Sequence, residues 1–294
     1  MHKLWNVTLI TVPQLADAMA EVLEDRALAL TVLAPPRKEE ARIEALYDIA
    51  PRLADITARA ALVAAMYGAK IPQIDIRETP NLDWLKKVAG DFPPMRLARW
   101  TVFGSQHKKS VRPGRFTMQI DATSAFRTGE HPTTRGCLMM LDALLKKERP
   151  WRMLDMGCGS GILAMAWAEA ARGHAVAVDL DSESVRVAKE NIRVNGLQRN
   201  VTIGLSYGYR SPLVAKAAPY DLIMANIFAR PLCEMAKDLK CHLRPGGTAI
   251  LAGLLNRQAN AVLAAHRMQG LYLKKRIIIG EWSILALDRA KRAK

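Results

Sequence analysis

The sequence predicts two domains in tandem: a small ferredoxin-like α+β domain, then a larger Rossmann-like α/β domain whose mostly parallel sheet ends in an antiparallel hairpin. Three observations carry this. The first eighty residues read β-α-β-β-α-β, the ferredoxin-like order. From Trp151 strands and helices alternate regularly, the signature of a parallel sheet. The last apolar runs, Tyr272 to Ile279 and Trp282 to Asp288, are joined by Gly280-Glu281, a tight turn that makes that edge antiparallel.

Within the first domain, expected at residues 1–80, Leu4 to Thr11 alternates apolar and polar residues as a strand does. Pro13 suits a first helical turn, and Leu15, Met19, Val22 and Leu23 recur at helical spacing. Leu28 to Leu33 predicts a second strand and Arg42 to Tyr47 a third. Ile56, Ala60, Val63, Ala64 and Tyr67 mark a helix stopped at Gly68, and Gln73 to Glu78 a last strand before Pro80. Residues 81–115 are expected to link the domains, because Pro93-Pro94 and the stretch from Gly104 to Gly114 read as turn material. Leu97 to Phe103 and Phe116 to Asp121 nonetheless have strand character.

In the second domain, 116–294, strands are expected at Met153 to Met156, Ala175 to Asp179, Val201 to Leu205, Tyr220 to Ala225 and Thr248 to Leu255. Helices are expected between them, including Glu183 to Val194 and Pro231 to His242.

At 294 residues with 50% hydrophobic and 24% charged residues, the composition is that of a folded globular chain. No apolar run approaches the ~18–20 residues that span a bilayer, and the N-terminal residues lack the pattern of a signal peptide. The expectation is a cytoplasmic protein with no membrane partner. Cys137, Cys158, Cys233 and Cys241 show no zinc or redox spacing, so no metal is expected. The net charge of +15 gathers in clusters such as Lys146-Lys147 with Arg149 and Arg152, and Lys274-Lys275-Arg276. Such a surface either attracts nucleic acid or is a solvated basic face.

The chemistry concentrates in three motifs. Leu154-Asp155-Met156-Gly157-Cys158-Gly159-Ser160-Gly161 lies between a strand and a helix. Its glycines allow a sharp turn and close approach of a ligand to the backbone. A dinucleotide fingerprint would need glycine at Ile162; G-x-G-x-G suits a nucleoside without a pyrophosphate. Asp179 ends the next strand 22 residues after Gly157, near the ~20-residue offset at which a carboxylate reaches ribose hydroxyls. Asp181 competes for that role, and Asp155 either meets a ligand amino group or caps the turn.

Asn226 ends a buried-type strand, where ligands of open α/β sheets sit; its alternative is to cap a helix near Pro231. The N-I-F-A run from Asn226 to Ala229 differs from the N-P-P-Y common in methyltransferases that act on planar amines. In Ser124-Ala125-Phe126-Arg127-Thr128-Gly129-Glu130-His131-Pro132-Thr133-Thr134, Pro132 opens a helix. His131 reads as a structural histidine or a general base.

At these motifs the chain resembles the ribosomal protein L11 methyltransferase family (PrmA), whose marks are A-F-G-T-G-x-H-P-T-T, G-C-G-S-G-I-L and A-N-I. The likeness extends over nearly the whole chain, including the Pro93-Pro94 region and Glu281-Trp282. It implies a class I methyltransferase sheet binding S-adenosylmethionine through Thr134, Gly157, Gly159, Asp179 and Asn226, with the Phe126 loop folding over the cofactor. It also implies that the N-terminal domain grips ribosomal protein L11 and that lysine ε-amines and the N-terminal α-amine are methylated. A monomer is expected, and the basic surface is expected to contact ribosomal RNA. Arg127 stands where the family has glycine, and the +15 charge would repel a basic substrate.

Asn226 is the expected catalytic group, orienting the neutral amine for in-line attack. A lysine amine, with an ordinary pKa of ~10.4, must first lose a proton. No residue reads as a general base, which leaves water. A same-fold methyltransferase acting on RNA or another protein lysine is the alternative, as is a non-enzymatic ribosome-binding factor.

Overall fold

The computed structural model describes residues 4–24, 27, 29–33, 40–79, 94–112, 114, 116–120, 131–171 and 173–290. The chain forms two compact units, residues 1–87 and 88–294.

The first unit runs β1 (Leu4–Thr11), α1 (Ala16–Glu24), β2 (Ala29–Leu33), β3 (Ala41–Tyr47), α2 (Leu53–Met66) and β4 (Gln73–Thr79). Its antiparallel sheet has the order β2-β3-β1-β4, the ferredoxin-like arrangement the sequence predicts. Strand alternation decides its faces. Val7 and Leu9 of β1 and Ile43, Ala45 and Tyr47 of β3 point under the helices, against Met19, Leu23, Ile56 and Ala60. The opposite residues, Asn6, Thr8, Ile10, Arg42, Gln73, Asp75 and Arg77, line a shallow depression of about 320 Å³.

The second unit begins with β5 (Met95–Leu97), β6 (Trp100–Phe103), β7 (Thr117–Gln119) and α3 (Pro132–Leu145). There follow β8 (Arg152–Met156), α4 (Ile162–Ala170), β9 (His174–Asp179), α5 (Ser182–Val194), β10 (Val201–Leu205), α6 (Pro212–Ala217) and β11 (Tyr220–Asn226). It closes with α7 (Ala229–Glu234), α8 (Ala236–His242), β12 (Leu243–Leu255), α9 (Ala259–Arg267), β13 (Leu271–Ile279) and β14 (Trp282–Arg289). The seven-stranded sheet has the order β10-β9-β8-β11-β12-β14-β13. It is parallel from β10 to β12, and β14 is antiparallel to both neighbours. The hairpin through Gly280 is thus where the sequence placed it.

Two cores sandwich this sheet. One face meets α3, α4 and the small β5-β6-β7 sheet through Leu138, Leu141, Trp167, Trp100, Val102 and Met118. The other is covered by α6–α9 through Val214, Leu232, Leu239 and Val262.

Three sequence expectations are corrected. Residues 95–103 lie upstream of the expected start of the second domain, yet they belong to its core: Trp100 is fully buried and donates its indole N–H to the Ala166 carbonyl at 3.0 Å. Leu97 to Phe103 is two strands, because Ala98 turns the chain at φ 54, a conformation its residue type does not announce. Pro231 to His242 breaks at Met235, whose ψ of 5 leaves the α region, so two short helices replace one.

Truncating Trp100 to alanine removes a buried indole and strands a carbonyl. We expect the unfolding free energy of the larger unit to fall by about 3–5 kcal/mol. Urea denaturation checks this as a lower midpoint at constant slope.

Candidate active site

The strand order reverses between β8 and β11, and there two successive loops leave the sheet on opposite faces and open a crevice at the strands' carboxyl ends. Every described residue singled out from the three motifs lies at that edge.

The loop from β8 to α4 holds Gly157, Gly159 and Gly161 at φ 70, 54 and 80, where other L-residues are strained. A Cβ on Gly157 would also lie 2.3 Å from Ile227 Cγ2. The path is pinned from both ends. Gly157 N and Cys158 N donate to the Val178 carbonyl at 2.8 and 3.0 Å, Gly159 N donates to Asp179 Oδ2 at 2.9 Å, and Asn191 Nδ2 donates to the Ser160 carbonyl at 3.0 Å. Asp155 reaches across the loop and accepts from Ala164 N at 3.0 Å through Oδ2. Of its two sequence readings, capping is seen at Oδ2. Burial, reinforced by the nearby Asp179 charge, pushes the Asp155 carboxyl up to about 7, against a stabilising pull from Ala164 N–H.

Asp179 is held by backbone on both oxygens, Oδ1 accepting from Asp181 N at 3.0 Å. Each oxygen retains a lone pair for a further donor. Asp181 does not compete: it caps α5, accepting from Glu183 N at 3.2 Å and Ser184 N at 2.9 Å. Beside Asp179 the strand ends expose large apolar groups that sequence reading passed over. Leu180 is 71% exposed, Tyr207 72%, and Leu205 and Phe228 are also exposed. Ser206 N donates to the Asp179 carbonyl at 2.8 Å, tying the two strand ends together. The signal was available: bulky apolar residues directly after strands whose ends face a ligand crevice.

Asn226 ends β11 and donates from Nδ2 to Thr134 Oγ1 at 3.3 Å. It does not cap the following helix, whose N-cap is Phe228. Its Oδ1 has no hydrogen bond from the described residues. Thr134 is buried in the first turn of α3, and that turn is set by His131. The imidazole Nδ1 accepts from Thr133 N at 3.3 Å and pairs with Thr133 Oγ1 at 2.7 Å. The indole of Trp282, at the start of β14, packs edge-on against it with ring centroids 4.5 Å apart. Burial depresses the His131 pKa to about 4. A neutral ring suits this place, since an imidazolium would oppose the positive end of the helix and lose the Nδ1 acceptor. His131 is the structural histidine and not a base. Phe126 and Arg127 lie outside the described residues. Among the described residues no group of three His, Cys, Asp or Glu side chains is arranged to hold a metal ion.

A family model described as ribosomal protein L11 methyltransferase (PrmA) matches residues 11–290. The chain belongs to that family. Among PrmA relatives, the ribosomal protein L11 methyltransferase of Bradyrhizobium diazoefficiens is 44% identical over 207 residues, 70% of each chain. That of Rhodopseudomonas palustris is 35% identical over 277 residues, 94% of this chain and 92% of its own. The crystal structure of a ribosomal protein L11 methylase from Lactobacillus delbrueckii subsp. bulgaricus is 26% identical. It superposes with a TM-score of 0.55 over 66% of this chain and 96% of that one.

As a PrmA protein the chain is a methyltransferase dependent on S-adenosylmethionine. The crevice fits that group. The loop carries no side chain at Gly157, Gly159 and Gly161, and the Asp179 carboxylate keeps a lone pair on each oxygen for a hydroxyl donor. Asp155 Oδ1 and Ser160 Oγ are buried at the loop with no hydrogen-bond partner among the described residues.

His131 should leave a pH signature in stability. Its folded pKa lies below the ordinary 6.5, so the unfolded chain takes up a proton between pH 6.5 and about 4 that the folded chain refuses. Its stabilising contribution is therefore full above 6.5 and lost as pH falls toward 4. Asp155, with its folded pKa raised from 3.8, has the opposite sign across an overlapping window. The expected result is that His131→Asn, a cap that does not titrate, gains stability relative to wild type as pH falls from 6.5 to 4. Paired urea titrations at several pH values read it; a constant difference would contradict the assignment.

Proposed function

We propose that this chain methylates amino groups of ribosomal protein L11, lysine ε-amines and the N-terminal α-amine, with Asn226 as the catalytic residue. The observation that carries the reading is the Asn226–Thr134 contact at the crevice: with Nδ2 engaged, the amide presents Oδ1 as an acceptor. An incoming amine that donates one N–H to Oδ1 has its lone pair directed, which is the main requirement of an in-line displacement. Thr134, Gly157, Gly159, Asp179, Asn226 and Phe126 are the cofactor-binding set in this reading. S-adenosylmethionine, when bound, supplies an electrophilic methyl group on a sulfonium. The chain's part is to hold the nucleophile, exclude water, and favour the neutral amine by desolvation. The amine's proton leaves to water, since His131 is committed to its helix cap and Asp155 is buried.

The unit of residues 1–87 is the substrate-gripping domain in this reading, and residues 88–294 form the cofactor domain. Its outer sheet face offers Asn6, Thr8, Gln73 and the ion pairs Arg42–Glu44 and Arg77–Asp75 to a polar protein partner. Charge supports it: residues 1–87 hold 11 basic and 12 acidic side chains, so this unit does not repel a basic protein. Ribosomal RNA is the second partner, met by the basic residues of the other unit. In this reading the enzyme acts as a monomer in the cytoplasm, where its ribosomal substrate is found.

The test is mass spectrometry of unmodified ribosomal protein L11 after incubation with the enzyme and S-adenosylmethionine. We expect gains of whole methyl groups. Asp179→Ala should weaken cofactor binding tenfold or more by calorimetry, the loss of charge-assisted bonds worth ~1.5–3 kcal/mol. Asn226→Ala should lower kcat by about 10²-fold at saturating cofactor, an effect of the size expected for lost positioning. Unchanged turnover in Asn226→Ala would remove it from the mechanism.

A further inference from the structure

We propose that the strand-start edge of the larger sheet, opposite the crevice, is a docking surface for single-stranded RNA centred on Trp151. The inference deepens the reading of ribosomal RNA as a partner and rests on it; it does not depend on which amine is methylated.

The charge of the chain is segregated. Residues 88–294 carry 32 basic and 16 acidic side chains, against 11 and 12 in residues 1–87, so the whole excess belongs to the larger unit. At its strand-start edge Lys147, Arg149, Arg152, His174 and Arg199 are exposed, and Trp151 among them is 63% exposed. They form one patch through the backbone. His174 N donates to the Trp151 carbonyl at 3.1 Å, Arg152 pairs with His174 across β8 and β9, and Ala175 N donates to the carbonyl of Asn200, next to Arg199.

The acids of this edge are already used. Asp221 accepts Trp151 N and Arg152 N at 2.9 and 2.8 Å and pairs with Arg244. Glu148 and Asp288 both bind Lys274, at 2.9 and 3.0 Å, and Asp142 binds Arg99 and Lys146. Lys147, Arg149, Arg152 and Arg199 consequently have no carboxylate partner among the described residues. Four uncompensated cations around an exposed indole are the two parts of a single-strand site: cations track phosphates and the flat ring stacks a base. A duplex would bury its base faces and leave the indole idle. An anionic membrane would call for a broad apolar face with the cations, and this edge offers one ring.

Five-residue β8 separates the patch from the glycine loop by roughly 16 Å, at ~3.3 Å per residue, so RNA held here leaves the crevice open. The bound polyanion would also neutralise the unit that otherwise repels a basic substrate.

The experiment is fluorescence anisotropy of a labelled twelve-nucleotide oligouridylate with the full chain over a potassium chloride series. Wild type should bind with a log–log salt slope of about −3, as four phosphate contacts imply. Arg149→Glu/Arg152→Glu should bind at least tenfold more weakly with a shallower slope. Trp151→Ala should lose about fivefold with the slope kept, and Trp151→Phe should recover most of it. Methylation of free ribosomal protein L11 by these variants should stay within about twofold of wild type, and their melting temperatures should be unchanged. Equal RNA affinity in the double variant overturns the proposal, as does equal affinity for duplex RNA, or tighter binding to phosphatidylglycerol vesicles than to RNA. If wild type binds the oligonucleotide but methylates no L11, the proposed substrate fails and the RNA surface stands.

Discussion

The catalytic half of this molecule depends on a buried carboxylate. The chain must pass from β8 into α4 across five residues, Gly157 to Gly161, three of them glycines in left-handed conformation, with the loop's backbone at the crevice. Such a segment has little side-chain packing to hold it. Asp155 supplies the hold by taking the Ala164 N–H from inside the first turn of α4, so strand end and helix start are joined across the loop. The cost is a carboxyl in a buried place, and its pKa rises accordingly. Asp179 repeats the device from the neighbouring strand, binding Gly159 N with one oxygen and Asp181 N with the other. Two carboxylates thus shape a loop that has no side chains with which to shape itself.

The opposite wall is held by aromatic packing. Thr134 is buried in the first turn of α3, and that turn keeps its place because a neutral His131 caps it and Trp282 covers the imidazole. Further along α3, Gly136 lets the helix lie against Ile284 of the same strand that begins with Trp282: an added Cβ there would be 2.4 Å from Ile284 Cδ1. The antiparallel hairpin that closes the sheet is therefore also the brace behind the Asn226–Thr134 contact. This gives the last strands of the chain a role in the geometry of a crevice built from its middle.

What was legible in the sequence follows from locality. The glycine loop, Asp179 and Asn226 could be read because each sits at a strand end, and parallel α/β sheets put strand ends at the crevice. The ferredoxin-like order was readable because each strand alternates over its own length. The turn at Ala98 was hidden, since an alanine at positive φ carries no compositional sign and is held by tertiary contacts, including Arg99 over the Trp100 and Phe116 rings. The break at Met235 was hidden for the same reason: its apolar spacing continues the helical pattern. Asp155 had two readings because its partner is nine residues on, and the His131–Trp282 pair joins residues 151 apart in sequence. Pairings of that kind exist only once the sheet has formed.

Charge is where the division into units changes the meaning of a sequence property. Taken as one number, +15 sets the whole chain against a basic substrate. Divided at residue 87, it describes a near-neutral unit and a strongly basic one, with opposite consequences. Fields between exposed charges decay over roughly 8–10 Å at physiological salt, so a partner meets the local surface and not the total. A basic protein can approach the first unit without opposition while a polyanion is drawn to the second. The segregation also locates the constraint on each surface. The first unit must keep its outer-face ion pairs internally balanced, as Arg42–Glu44 and Arg77–Asp75 are, whereas at the strand-start edge the acids are occupied by backbone, Lys146, Lys274, Arg99 and Arg244, so that Arg149, Arg152 and Arg199 keep no carboxylate partner among the described residues.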